Sequence, residues 1–269
     1  MHPRISVHGL CGSTSTLQED LDFWASAGID HVGIPMSKLD AAGRDLGVKQ
    51  ILAADLRVCH VTAVQAFDLA DPAAWGRQRQ ALTQIVDIAR VLSAERLCIT
   101  AGPPGPLLAD EAAEAFTTAL RPVLDYARGH GVPIAVEHNH VVRRDLSFLN
   151  TLRDVIAYAR PAGVKVCAEV QNFWVEYDLE RTIREGIDLI DLVQISDWIM
   201  TDSAVPPNRA VLGDGDIPLE KIMEWFLTAG YQGAFDIELV GPRIDSEGYQ
   251  SAVTRSVRWL TATLGRLGT

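Results

Sequence analysis

Short apolar runs alternate with longer amphipathic segments along this chain, and the alternation predicts a repeated strand and helix unit. The candidate strands are ISVH (5–8), HVGIP (31–35), VCHVTAV (58–64), RLCIT (96–100), PIAVE (133–137), VKVCAEV (164–170), LVQIS (192–196) and FDIEL (235–239). The segments between them carry apolar residues at helical period, as in Leu82, Ile85, Val86, Ala89 and Leu92. Strands that alternate with helices in this way indicate parallel pairing.

Glycines punctuate the units at similar places. Five strands are preceded by SAGIDHV, RGHGVPI, RPAGVKV, REGIDLI or TAGYQGAF, where we expect a glycine to end a helix. Eight units of about 34 residues predict a single-domain (β/α)8 TIM barrel over residues 1–269. The main competitor, a doubly wound open sheet, is disfavoured because no glycine-rich dinucleotide fingerprint follows the first strand.

Composition and charge narrow the classes of partner. With 269 residues, 48% of them hydrophobic, the chain can bury one large core. A formal net charge of -11 has the wrong sign for attraction to nucleic acid or to an anionic membrane. We therefore expect a small-molecule substrate, with no nucleic acid and no membrane as partner.

Cysteine usage and the absence of long apolar stretches predict the compartment. The four cysteines show no C-x-x-C spacing, so we interpret them as free thiols of a reducing cytoplasm. No run of about 18 apolar residues is present, which predicts a soluble cytoplasmic protein. An exposed helix face could pair subunits into a homo-oligomer.

Four predicted strand ends carry oxygen-bearing side chains: Glu137, Glu169, Gln194 and Glu238. Chemistry in a TIM barrel takes place at these ends. Three carboxylates that converge in a pocket repel one another, so they must bind a proton or a cation. Oxygen ligands favour a hard divalent ion, Mg2+ or Mn2+, and the four residues are the predicted ligands of one such ion. The alternative is four unconnected surface side chains.

Neighbouring loops supply the predicted substrate contacts, which are His138, His140, Asn172, Trp174 and Arg209. Loop hydrogen bonding for the histidines and simple packing for the tryptophan are the alternatives. The GDGD segment at 213–216 lacks the length and the lysine of a phosphate loop, so we expect a tight turn.

Three further polar residues lie in predicted strands. His8 and His60 could line the barrel mouth or be hydrogen-bonded core histidines, and neither is assigned a catalytic role. Of Asp236 and Glu238, we expect only one to face the barrel interior.

The second half of the chain resembles the xylose isomerase-like TIM barrels, also called sugar phosphate isomerases/epimerases. The most specific segment is VLGDGDIPLEKIMEWFLTAGYQGAFDIEL (211–239), with a Gly-x-Gly-Asp turn before a Gly-Tyr-x-Gly signature. The resemblance implies a metal held by Glu, Asp, His and Glu on strands five to eight, where this chain has Glu137, Glu169, Gln194 and Glu238. Glu169 thus replaces Asp and Gln194 replaces His, while Asn172 stands where the family has a further histidine. The context of Gln194 is similar to the 3-dehydroshikimate dehydratase branch.

Together the residues and the resemblance predict a metal-dependent isomerase or epimerase of a small polyhydroxylated carbonyl compound. Glu137 and Glu238 would be the acid/base pair, and the reaction would pass through an enediolate. The runner-up is a dehydratase of the dehydroshikimate or inosose kind. A phosphodiesterase like the apurinic endonucleases is disfavoured by the acidic charge, and a non-catalytic, metal-free barrel is a further alternative.

Overall fold

The computed structural model describes residues 1–64, 66–201 and 208–269, and their strands close into a parallel barrel. The strands are β1 (Ile5–His8), β2 (His31–Pro35), β3 (Arg57–Ala63), β4 (Leu97–Thr100), β5 (Ile134–Glu137), β6 (Lys165–Glu169), β7 (Ile190–Ile195) and β8 (Phe235–Ile237). Each strand pairs with the next, and β1 closes the barrel on β8. The predicted TIM barrel is confirmed, and the open sheet is excluded because no edge is left between β1 and β8.

Helices surround the barrel. In the described residues they are α1 (Leu17–Ala27), α2 (Met36–Ala42), α3 (Arg44–Ala53), α4 (Trp75–Val91), α5 (Ala109–Gly129), α6 (Leu152–Ala162), α7 (Val170–Phe173), α8 (Leu179–Gly186), α9 (Leu219–Thr228), α10 (Pro242–Glu247) and α11 (Tyr249–Arg266). None of these helices is long and apolar enough to cross a membrane.

The core has two parts. A large apolar cluster packs the helices on the outside of the strands. A small cluster fills the barrel interior and consists of Cys59, Cys98, Ala135, Cys167, Leu192 and Ala234. The four cysteines are free and buried, as predicted. Small side chains in the interior leave room for polar groups toward the end of the barrel where the strands finish.

The glycine punctuation has two physical causes. Gly28 and Gly163 end helices with φ of 65° and 70°, in the left-handed region that glycine tolerates. Gly186 is the last residue of α8, so this helix also ends at its predicted glycine, but Gly186 is not among the glycines with positive φ. A Cβ there would stand 2.2 Å from Cδ1 of Ile156, so the glycine permits close packing of α8 on α6.

Candidate active site

The predicted ligands lie together at the carboxyl ends of four adjacent strands. Glu137 and Glu169 are the last residues of β5 and β6, and Glu169 is level with Gln194 of β7. Glu238 follows β8 directly. A cavity of about 320 Å³ opens here, and Glu137, Gln194 and Glu238 line it. Glu169 is fully buried.

Arg209 lies between two of these carboxylates. Its Nη1 is 2.8 Å from Oε2 of Glu169 and donates to the backbone oxygen of Glu238 at the same distance. Its Nη2 is 3.4 Å from Oε1 of Glu238. The backbone N–H of Arg209 donates to the carbonyl of Val240, which fixes the residue against the loop after β8. Lys165, at the other end of β6, donates to the carbonyl of Asp188.

Two further oxygen atoms of the site, one on Glu137 and one on Glu169, accept hydrogen bonds. Oε1 of Glu137 accepts from the amide of Asn139 at 3.0 Å. Oε1 of Glu169 accepts from the backbone N–H of Gln171, also at 3.0 Å, and so caps the short helix α7. These bonds fix the rotamers of both carboxylates.

Burial and mutual repulsion perturb the carboxylates. Burial raises the pKa of Glu137 well above its usual range, and the charges of Glu238 and Glu169 add to this effect. Burial also raises the pKa of Glu169, to about 7, although Arg209 opposes the shift. The pKa of Arg209 is raised by the surrounding carboxylates despite its burial. Three glutamates around one guanidinium leave two negative charges uncompensated when all are ionised.

A hard cation fits this donor set in kind and in charge. Three carboxylates and the amide of Gln194 supply oxygen ligands, and a divalent ion would balance the two uncompensated charges. The amide oxygen currently accepts from the thiol of Cys167 at 3.0 Å. Among the described residues, the three strand-end glutamates do not all bring a carboxylate oxygen within 4.8 Å of one another. These side chains would therefore have to move closer together to bind one ion.

The predicted substrate contacts divide into two groups. His140, Asn172 and Arg209 line the cavity. His138 is fully buried beside Phe173, with ring centroids 5.7 Å apart, and lies outside the lining. Trp174 also lies outside the lining and packs, partly buried, against the apolar core. A direct substrate contact by His138 or Trp174 stays a prediction.

Several lining residues were not predicted. Asn139, Arg143 and Gln171 face the cavity, and among the described residues Oδ1 of Asn139 and Nε2 of Gln171 are buried without a hydrogen-bond partner. Such atoms are suited to bind oxygen groups of a ligand. The sequence offers one signal for Asn139 and Gln171, since each stands two residues after a strand-end glutamate, and none for Arg143.

His8 and Thr62 also line the cavity, from the opposite part of the barrel. Below them Asp236 accepts from Nε2 of His60 at 2.9 Å, and both side chains are fully buried. The expectation that only one of Asp236 and Glu238 faces inward is wrong. Residues two apart in a strand point to the same side, so both do.

The GDGD segment forms a turn around a carboxylate. Asp197, just after β7, accepts the backbone N–H groups of Trp198, Gly213, Gly215 and Ile217 at distances of 2.9 to 3.1 Å. The Asp197 carboxylate thus takes the place that an anionic ligand would need. The predicted tight turn agrees with this arrangement, and the turn holds the chain that follows Arg209.

Comparison with protein families and solved structures places this barrel among known ones. Residues 21–263 match the family of xylose isomerase-like TIM barrels. The chain therefore belongs to this family, as the sequence resemblance suggested. No curated protein matches the chain.

Solved structures share the fold at low identity. Protein SMc04130 from Sinorhizobium meliloti 1021 is 23% identical with a TM-score of 0.85, covering 95% of this chain and 96% of its own. The IOLI protein, solved with a bound zinc atom, is 15% identical with a TM-score of 0.87, covering 99% of each chain. D-allulose 3-epimerase from Methylomonas sp., in complex with D-allulose, is 17% identical with a TM-score of 0.78, covering 97% of this chain and 96% of its own.

Proposed function

We propose that this protein is a divalent-metal-dependent isomerase or epimerase of a small polyhydroxylated carbonyl compound. The observation that carries the proposal is the position of Glu137 and Glu238 at the cavity, with Glu169, Gln194 and Arg209 beside them. We infer that Mg2+ or Mn2+ is held by the four strand-end residues. The bound ion would supply electrostatic stabilisation of adjacent substrate oxygens.

The two cavity-lining glutamates have the chemistry for proton transfer to and from carbon. Burial among other carboxylates raises the pKa of Glu137, so this group holds a proton more strongly than an ordinary glutamate, as an acid in the reaction must. Glu238 contributes a second carboxylate from the other end of the four-strand arc, so the pair can address a substrate carbon from two directions. Removal of a proton beside a carbonyl gives an enediolate, and its return on the other face or carbon completes epimerisation or isomerisation.

Arg209 would have a substrate-binding role in this reaction. Its guanidinium is charged and lines the cavity, and its Nε is buried with no hydrogen-bond partner in the part of the chain that the structure describes. A planar cation at this place can hold hydroxyl or carbonyl oxygens of a polyol. The cavity volume of about 320 Å³ suits a small molecule, and the structural neighbour solved with D-allulose shows that a ketose fits a barrel of this architecture.

Proton exchange in D2O tests the proposal. The purified protein with Mn2+ or Mg2+ is incubated with ketoses and cyclic polyol ketones, and deuterium next to the carbonyl is followed by NMR. We expect exchange that chelation abolishes and that Glu238→Gln lowers by at least about a hundredfold, since the variant cannot accept the proton. Exposed Glu114 provides the control Glu114→Gln, which should retain the activity.

Two outcomes would redirect the assignment. A product with a new carbon–carbon double bond would show loss of a β-hydroxyl and make the protein a dehydratase, the alternative suggested by Gln194. Full exchange activity in Glu238→Gln with an intact fold, checked by circular dichroism, would remove Glu238 from the catalytic pair.

A further inference from the structure

A series of hydrogen-bonded polar side chains lies behind the cavity, on the side away from Glu137 and Glu169. It consists of His8 at the end of β1, Thr62 and His60 on β3, and Asp236 on β8. His8 and Thr62 line the cavity, whereas His60 and Asp236 are fully buried beneath them. The proposed proton transfer uses none of these groups. Their hydrogen bonds nevertheless fix where each hydrogen atom lies.

The tautomer of His8 follows from its backbone contact. The N–H of Leu10 donates to Nδ1 of His8 at 3.0 Å, so this nitrogen carries no hydrogen. Burial, and then the neighbouring His60, lower the pKa of His8 to about 3, so the ring is neutral. The hydrogen therefore lies on Nε2, which is 3.2 Å from Oγ1 of Thr62. His8 donates to the Thr62 hydroxyl.

His60 donates to the same hydroxyl. Its Nε2 is 2.9 Å from Oδ2 of Asp236, and a fully buried carboxylate requires a charged or hydrogen-bonding partner. Its Nδ1 is 2.7 Å from Oγ1 of Thr62, which is the length of a charge-assisted bond. Burial opposes a charge on His60, but Asp236 outweighs it and raises the pKa to about 10, with a smaller contribution from Cys98. An imidazolium donates from both nitrogens.

Both lone pairs of the Thr62 oxygen are thereby filled. Among the described residues, the rings of His8 and His60 are its hydrogen-bond partners. A hydroxyl that accepts two hydrogen bonds has only its own hydrogen left to offer. Because Thr62 lines the cavity, that hydrogen is available to an oxygen atom bound there.

We propose that the Thr62 hydroxyl is a substrate-contacting donor that binds the carbonyl oxygen of the substrate and stabilises the negative charge formed on it. His60 and Asp236 are positioning residues, since they orient the hydroxyl without touching the substrate. The inference rests on the proposed function and names a second source of stabilisation, opposite the carboxylates, for the same intermediate.

Binding of an enediolate mimic tests the donor without requiring turnover. D-Threonohydroxamate, a small polyhydroxylated hydroxamate, is titrated calorimetrically into the Mn2+-loaded protein. Thr62→Val removes the hydroxyl at nearly constant volume and should weaken binding about ten- to a hundredfold, the usual effect of losing a hydrogen bond to a charged group. Thr62→Ser keeps the hydroxyl and should bind within about threefold. Thr117→Val, the same change on α5 outside the cavity, should bind like the wild type.

Histidine-selective 15N NMR of the wild type tests which ring nitrogens of His8 and His60 donate hydrogen bonds. We expect His60 with both ring nitrogens protonated at pH 7 and His8 protonated on Nε2 alone. A neutral His60, or tight binding of the hydroxamate by folded Thr62→Val, would overturn the donor role. Failure of the wild type to bind the hydroxamate would instead overturn the proposed function, and the donor role with it.

Discussion

Gly33 on β2 provides the space for the buried His60 ring. A Cβ at position 33 would lie 2.2 Å from Nε2 of His60, the nitrogen that donates to Asp236. We predict that Gly33→Ala destabilises the protein by about 1 to 3 kcal/mol, because the ring cannot move without losing its partner. Urea unfolding gives this value.

The control variant is Gly265→Ala, in α11 with no heavy atom within 4 Å of the added Cβ. It should be neutral or stabilising by up to about 1 kcal/mol. Equal stability of both variants would show that the His60 ring does not need a glycine at position 33.

At the scale of single residues, position at the end of a strand was enough to predict two residues of the site. Glu137 and Glu169 were predicted at the site because each ends a strand, and both do. The ion pair of His60 and Asp236 could not be predicted, since the two residues are 176 positions apart and meet only through barrel closure. The contact of Arg209 with Glu169 was missed for the same reason.

In the described part of the loop after β7, the side chain of Asp197 holds several backbone groups together. Its carboxylate accepts four backbone N–H groups, and its own backbone pairs with Ala210 beside Arg209. We predict that Asp197→Ala lowers the free energy of unfolding by at least about 2 kcal/mol, because several N–H groups lose their acceptor. It should also weaken substrate binding by displacing Arg209. Thermal and urea unfolding measure the first effect, and KM measures the second.

A matched variant in the same loop separates the loss of the Asp197 hydrogen bonds from the loss of one negative charge. Asp214→Ala removes an exposed carboxylate that pairs with Arg255, so it should change stability by less than about 1 kcal/mol. If Asp197→Ala were equally mild, the carboxylate would not organise the loop.

At the level of elements, strand positions could be predicted closely, but the tertiary contact that requires a particular glycine could not. The predicted β1 and β2 have the same bounds in the structure, because a buried strand is marked by its apolar run. Gly186 ends α8 as predicted, but the structure requires a glycine there for a different reason, the close packing of α8 on α6. Close approach of α6 and α8 is a tertiary property that no local pattern records.

At the scale of the whole molecule, repetition made the fold predictable. Eight similar units can satisfy their strand edges by closing, and the resulting architecture brings the four strand ends together. The substrate could not be predicted in the same way, since the loops that line the cavity follow no repeat. The formal charge of -11 also constrains the ligand, because an acidic protein with carboxylates at its cavity favours neutral or metal-bridged substrates.

We propose that the three strand-end glutamates and Gln194 bind one divalent ion. Elemental analysis after dialysis against trace Mg2+ and Mn2+ measures this binding on the wild type, on Glu137→Ala/Glu238→Ala and on the exposed control Glu114→Ala/Glu180→Ala. We expect about one ion per chain in the wild type and the control. The Glu137→Ala/Glu238→Ala variant should lose the ion because only one carboxylate and the amide remain. A wild type that retains no ion, or a site variant that retains as much as the control, would contradict the claim.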